Sequence, residues 1–353
     1  MEAENVVERD WSSLAPELLN LIAKKLTEVF DFVRFRAVCK TWRFSTPITN
    51  RSPQFPWILD KRGHPYGPDM LFYSITASKT YTIHAPKLSG RRLLGTSQGY
   101  MFTDLYDSRD SSSQCARQLS LLNPLNNHEI PLPASDFCLD AYWIGPQQYR
   151  IGEYVVCFAY AGGGDYKSAF CCLGEDKWCE LESDDNDFFQ CFHIKGMFFR
   201  IEEDTGVTEV TDLTTGTLAY VLPPFEGYMV GANYYAVDAL GDILIVFQHF
   251  DPSDDSSDDW FSVHRLDLSG SSSPRWVKVN NIGNQALFID LDSGFALEAD
   301  DFSGVKANCI YLISTYCLVK RIDIETGEQE VLPCPFEEAP RWFVPNLQQL
   351  QAQ

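Results

Sequence analysis

Arg321-Ile-Asp-Ile-Glu-Thr-Gly-Glu-Gln-Glu-Val-Leu-Pro333 alternates apolar and polar residues, breaks at Thr-Gly, resumes, and stops at a Leu-Pro corner. Glycine supplies the positive φ that a tight turn between paired strands requires, so the segment reads as a β-hairpin. The same plan recurs in Val210-Thr-Asp-Leu-Thr-Thr-Gly-Thr-Leu-Ala-Tyr-Val-Leu-Pro-Pro224 and in Leu121-Leu-Asn-Pro-Leu-Asn-Asn-His-Glu-Ile-Pro-Leu-Pro133. Weaker copies lie at 83–90, 172–178 and 266–270. With His84, Asn123, Cys172, Asp212, Asp267 and Asp323 as equivalent anchors, the spacings are 39, 49, 40, 55 and 56 residues. Four short strands with their turns occupy roughly 40–50 residues, the period of a propeller blade. The two longer intervals hold a Ser/Asp-rich insert at 251–259 and a loop around 290–304. Six anchors predict six blades. A β-sandwich, the other all-β arrangement of this size, has no reason to repeat one hairpin so often.

The repeats occupy only the later part of the chain. Residues 1–50 carry seven basic and seven acidic side chains, so the net charge of −21 belongs to 51–353. Between the two parts, Ser45-Thr-Pro-Ile-Thr-Asn-Arg-Ser-Pro-Gln-Phe-Pro56 places three prolines among turn formers and reads as a stiff connector. The expected division is a helical unit over 8–46, a Pro-rich linker over 47–66, a β-propeller over 67–345, and a tail over 346–353. At 353 residues the chain has room for two such units. Its acidity argues against nucleic acid and against an anionic membrane as partners, because both select clustered cations. With 45% hydrophobic residues it is not disordered. The acidic opening Met1-Glu-Ala-Glu-Asn5 lacks the basic and apolar regions of a secretory signal, and the uncharged run 307–319, only 13 residues long, is too short for a membrane helix. Eleven scattered cysteines in a chain of this size predict reduced, mostly buried thiols and a cytosolic or nuclear location.

In the first unit, Pro16 and Glu17 suit a helix start, and Leu18, Ile22 and Leu26 follow at intervals of four, with Leu19 and Leu21 widening the stripe. This predicts an amphipathic helix over about 16–27. Asp31 can cap a second helix carrying Phe32, Phe35, Val38, Cys39 and Trp42, with Arg34, Arg36, Lys40 and Arg43 between them. About 35 residues thus form two or three short helices with more apolar surface than they can bury among themselves. Two arrangements satisfy the pattern: the helices pack onto the following β domain, or they dock a partner protein. The proline connector favours docking, because it holds the helices away from the domain after it.

Trp11-Ser-Ser-Leu-Ala-Pro-Glu-Leu-Leu-Asn-Leu-Ile-Ala-Lys-Lys-Leu26, followed by Arg34-Phe-Arg-Ala-Val-Cys-Lys-Thr-Trp-Arg43, resembles an F-box. The family pattern is Leu-Pro-x-Glu-Leu-Leu and then Arg-x-Val-Cys-x-x-Trp, and such boxes bind the Skp-type adaptor of cullin-based ubiquitin ligases. The resemblance implies an adaptor-facing surface formed by Leu14, Pro16, Leu18, Ile22, Val38, Cys39 and Trp42. Ala15 departs from the pattern, standing where many members have the first proline. Tyr73-Ser-Ile75, Gly283-Asn-Gln-Ala-Leu-Phe288, Asp301-Phe-Ser-Gly-Val-Lys-Ala-Asn-Cys-Ile-Tyr311 and Pro340-Arg-Trp-Phe-Val-Pro345 are similar to the C-terminal "domain of unknown function 295" of a large plant F-box family, regarded as kelch-like.

Motifs of bond chemistry are scarce. There is no Cys-x-x-Cys pair, and Gly162-Gly-Gly-Asp165 lacks the Lys-Ser/Thr of a phosphate loop. Asp290-Leu-Asp-Ser-Gly294 starts like a calcium loop, but the later Glu falls at the wrong distance. The carboxylates at 202–204 and 254–259 read as solvated loops or as a steering surface for a basic partner. No catalytic residue, metal or cofactor is expected. The resemblance implies α+β architecture, a short helical F-box followed by a propeller, serving as the substrate receptor of a Skp-cullin-F-box ubiquitin ligase. The box would hold the adaptor and through it a cullin, and the propeller would hold a protein substrate. A propeller binding module outside a ubiquitin ligase, and an enzyme using the propeller channel, remain as alternatives.

Overall fold

The computed structural model of the chain describes residues 10–60, 67–105, 118–134, 143–150, 153–162, 165–181, 188–202, 204–229, 233–249, 259–268, 273–290, 294–314, 317–337 and 340–349. Three helices come first: α1 (Pro16–Ala23), α2 (Val29–Ala37) and α3 (Lys40–Ser45). Everything after them is β. Four sheets have four strands each and a fifth has nine. Within each four-stranded sheet neighbouring strands are antiparallel, and each inner strand follows the previous sheet's outer strand in sequence. That up-and-down repetition builds a β-propeller.

The hairpins behave as their sequences demand. In the pair Val319–Asp323 and Gln329–Leu332, Gly327 adopts φ +74°, and the Asp323 carboxylate accepts the amides of Glu325 and Thr326, both at 3.1 Å. The pair Thr208–Asp212 and Thr217–Leu222 repeats this with Gly216 at +67° and Asp212 accepting from the Thr214 amide at 2.7 Å. In the pair Leu119–Leu122 and Glu129–Pro131, Asn123 accepts from the Leu125 amide, and Asn127 takes the left-handed position. Cys172 likewise begins the turn between Asp165–Cys172 and Cys179–Leu181. His84 is a correction. It ends the strand Lys79–His84 and leads into the next sheet, so the equivalent hairpin of the first sheet lies between Ser74 and Lys79.

The connector is the second correction. Residues 47–66 do not form a linker throughout, because Trp57–Leu59 is a fully buried strand. It pairs antiparallel on one side with Asp69–Ser74 and on the other with Arg341–Phe343, so segments from opposite ends of the described chain share one sheet. Phe55, Trp57, Ile58 and Leu59 are all buried, and each such side chain contributes about 1.5–3 kcal/mol. Trp342 fastens the closing strand. Its amide donates to Asp290 Oδ2 at 2.8 Å, and its indole N–H reaches the carbonyls of Ile289 and Tyr311, both at 3.1 Å. The expected tail is also engaged over part of its length. Asn123 and Asn126 donate to the carbonyls of Asn346 and Leu347, and Gly99, at φ +83°, passes so close that an added Cβ would lie 2.4 Å from Asn346 Cβ.

The nine-stranded sheet runs 275–279, 260–267, 242–249, 233–239, 294–298, 285–289, 309–313, 319–323, 329–332. Its two halves meet in parallel at Asp238 and Phe295 alone. Within its second half Cys309–Ile313 is buried at every position, as a strand covered on both faces requires. Cys39, Cys171, Cys172, Cys179, Cys309, Cys317 and Cys334 are free thiols, of which Cys171 and Cys309 are fully buried while Cys179 is exposed. The expectation of mostly buried thiols is therefore too strong for these positions. No described helix is long and apolar enough to cross a membrane. Residues 8 and 9, the Ser/Asp-rich insert at 251–258, the glycines at 163 and 164, the acidic position 203 and the loop at 291–293 lie outside the described residues.

Candidate functional site

Local chemistry sets the helices. Pro16 occupies the first helical turn of α1, where its missing amide costs nothing, and Glu17 meets the positive end of the helix dipole. Ala15, at the N-cap, makes no side-chain cap bond. α1 stops at Lys24, short of the expected residue 27. The second helix is capped differently from the expectation. Glu28, not Asp31, holds the N-cap of α2, and Asp31 pairs instead with Arg34 at 3.2 Å one turn along. Cys39 then starts α3, its sulfur accepting the Trp42 amide at 3.5 Å.

These helices sort their apolar residues into two sets. Leu19 and Ala23 of α1, with Val29 and Phe32 of α2, are buried. Leu18, Leu21 and Ile22 occupy the opposite face of α1 and are 48%, 60% and 41% exposed. Val33, Val38, Phe44 and Trp11 are exposed as well, Phe44 at 81%. Of 17 large apolar side chains exposed among the described residues, seven thus fall between positions 11 and 44. A monomeric protein rarely leaves so dense a cluster of apolar side chains in water. Lys24, Lys25, Arg34, Lys40 and Arg43 are exposed around it, whereas the remainder of the chain is strongly acidic.

The expected site residues divide. Pro16, Leu18, Ile22 and Val38 are exposed. Leu14, Cys39 and Trp42 are half-buried. Trp42 donates its indole N–H to the Trp11 carbonyl at 3.0 Å and packs its ring 4.5 Å from that of Phe35. The pattern missed Val33, Phe44 and Trp11 as exposed positions. For Phe44 the signal was present, since it lies two residues beyond Trp42, the last position of the second helical stripe.

The helices do not stand away from the propeller, contrary to the expectation from the prolines. Val29 joins the core of the first sheet with Trp57, Leu59, Phe72 and Phe343, and the Phe30 ring stacks 5.6 Å from Trp57 and 4.6 Å from Tyr81. Between them lies a buried carboxylate. Glu28 accepts hydrogen bonds from Gln54 Nε2 at 3.0 Å, Ser74 Oγ at 2.9 Å and Thr76 Oγ1 at 2.8 Å, with the Tyr81 hydroxyl at 3.4 Å. Burial, reinforced by the Glu28 and Asp31 carboxylates, pushes the Tyr81 phenol up to about 12. Burial also draws the nearby Arg51 guanidinium down to about 10, with Glu28 opposing the shift. One edge of the helical unit is thus docked and its other face is open.

Across the propeller, the described residues include no cluster of three or more His, Cys, Asp or Glu able to hold a metal. The profile of the KIB1-4 beta-propeller matches residues 72–337, three quarters of the sequence. The chain belongs to the KIB1-4 beta-propeller family. Two relatives from Arabidopsis thaliana are similar to this KIB1-4 propeller chain over most of their length. F-box protein At2g26160 is 24% identical and covers 86% of this chain and 95% of its own. F-box protein SKIP23 is 21% identical and covers 83% and 81%. Among solved structures, TolB from Acinetobacter baumannii aligns with 82% of this chain and 66% of its own, with 10% identity and a TM-score of 0.46.

Proposed function

We propose that this chain is the substrate receptor of a Skp-cullin-F-box ubiquitin ligase, its N-terminal helices serving as an F-box and its propeller as the substrate-binding unit. The observation that carries the reading is the open apolar face of Leu18, Leu21 and Ile22 on helices otherwise fastened to the propeller. A surface helix that served only to complete the core would turn that face inward, since each leucine left in water forgoes about 1.5–3 kcal/mol. The names of the Arabidopsis relatives point the same way.

In this reading Pro16, Leu18, Ile22 and Val38 touch a Skp-type adaptor, and Leu14, Cys39 and Trp42 support that surface from within. The adaptor links the chain to a cullin, and the propeller holds the protein to be ubiquitinated. The receptor performs no bond chemistry; it raises the effective concentration of its cargo beside the ubiquitin carrier. Treating the nine-stranded sheet as two joined blades gives six blades of kelch-like plan. The working location is the cytosol or nucleus.

Co-purification of the full chain with a Skp-type adaptor tests the reading. Leu18→Asp abolishes capture, while Val331→Asp on an exposed outer strand leaves it intact. Failure of the unaltered chain to bind any Skp-type adaptor would instead make it a propeller binding module outside a ubiquitin ligase.

A further inference from the structure

We propose that Glu28 is a positioning residue, whose buried carboxylate fixes the direction of the open helical face relative to the propeller. The benefit of that rigidity rests on the docking reading above. A partner seated on the helices would then be held at one angle to cargo seated on the propeller.

Glu28 sits at the N-cap of α2, where a carboxylate ordinarily turns back to the helix amides, yet it makes no such bond. Only 8% of the residue is exposed. Its oxygens face away from the helix and take up donors from the connector, Gln54, and from the first sheet's hairpin region, Ser74, Thr76 and Tyr81. The network continues in the other direction. Gln54 Oε1 accepts the Val29 amide at 2.8 Å and Arg51 Nη1 at 3.3 Å, and Arg51 Nη2 donates to the Pro345 carbonyl at 2.9 Å. Helix, connector, hairpin and C-terminal segment therefore meet in one polar assembly.

The adjoining side-chain contacts of Val29 and Phe30 are apolar and less directional, and would hold the helices on the sheet with more freedom of angle. Hydrogen bonds weaken steeply as they bend, so several converging on one carboxylate do dictate it. Stability alone is a poor reason for such a group. Burying a charge is expensive, and apolar residues of similar volume often hold a fold as well or better.

The test measures orientation directly in the full chain. Spin labels carried on non-natural ketone side chains replace Lys40 in α3 and Glu325 in an exposed propeller turn, and pulsed dipolar spectroscopy reads the distance between them. Glu28→Ala, and separately Ser74→Ala combined with Thr76→Val, are expected to widen the distance distribution at least twofold while the β-sheet signal still melts cooperatively. Should Glu28→Ala fail to fold, the hydroxyl-deleting pair decides. A width unchanged in the folded variants overturns the proposal, even if the melting temperature falls. Affinity for a purified Skp-type adaptor is expected to stay within twofold in both variants. Absence of adaptor binding by the unaltered chain would remove the docking reading and leave the distance result standing.

Discussion

Leu18 and Leu19 are neighbours in sequence with opposite fates, and replacing each in turn separates docking from folding. Leu19 is 0% exposed beneath α1, so Leu19→Ala opens a cavity and is expected to cost about 2–5 kcal/mol of stability. Leu18 is 48% exposed, so Leu18→Ala should change stability by no more than about 0.5 kcal/mol. Its effect lies in the complex. Roughly half of its side chain remains to be buried, and half of the about 1.5–3 kcal/mol for a complete leucine leaves ~0.8–1.5 kcal/mol. At 1.4 kcal/mol per decade, that is about a four- to twelve-fold loss of adaptor affinity. Leu18→Asp adds an unpaired buried charge and should take binding below detection. Urea denaturation of each variant, with calorimetric titration of a Skp-type adaptor, supplies both axes. Equal stability losses at the two positions, or unchanged affinity in Leu18→Asp, would refute the assignment of faces.

Three further outcomes follow from other parts of the molecule. Gly99→Ala places a Cβ 2.4 Å from Asn346 Cβ at φ +83° and should lower stability by about 2 kcal/mol or more, whereas Gly216→Ala, with the same backbone sign but no neighbour within 4 Å, should cost only about 1 kcal/mol; thermal melts compare them. Trp342→Phe removes the donor shared by the Ile289 and Tyr311 carbonyls and should cost about 1–3 kcal/mol, read as a shift in urea midpoint. His193, His249 and His264 are buried, and burial draws each down to about 4, helped for the last two by Lys278. Their unfolded forms take up protons near 6.5, so the unfolded chain binds more protons between those values. Their contribution is whole above 6.5 and is lost as the pH falls toward 4. Urea midpoints measured from pH 7 to 4.5 should decline, and less steeply in His249→Gln.

The propeller was legible because its strongest signals are local. The turn at Asp323 is written within five residues, a carboxylate to accept two amides and a glycine to reverse the chain, and at Asp212 a carboxylate accepting the Thr214 amide and a glycine do the same. What was missed depends on distant partners. Trp57–Leu59 reads as part of a proline-rich connector until Arg341–Phe343 is laid beside it. Glu28 reads as an ordinary acidic residue between helices, since its partners lie 26 to 53 positions away. The helical stripe was visible, but periodicity cannot say which of Leu18 and Leu19 meets the protein and which meets water. His84 misled because an apolar run followed by a turn is common both to a hairpin and to a connection between sheets.

Hydrogen exchange on the intact chain, with and without a purified Skp-type adaptor, tests the central claim most directly. Adaptor binding should slow exchange in α1 and α3, around Leu18, Ile22 and Phe44, with the propeller strands unaltered. Protection confined to the propeller, with the helices exchanging as before, would contradict it.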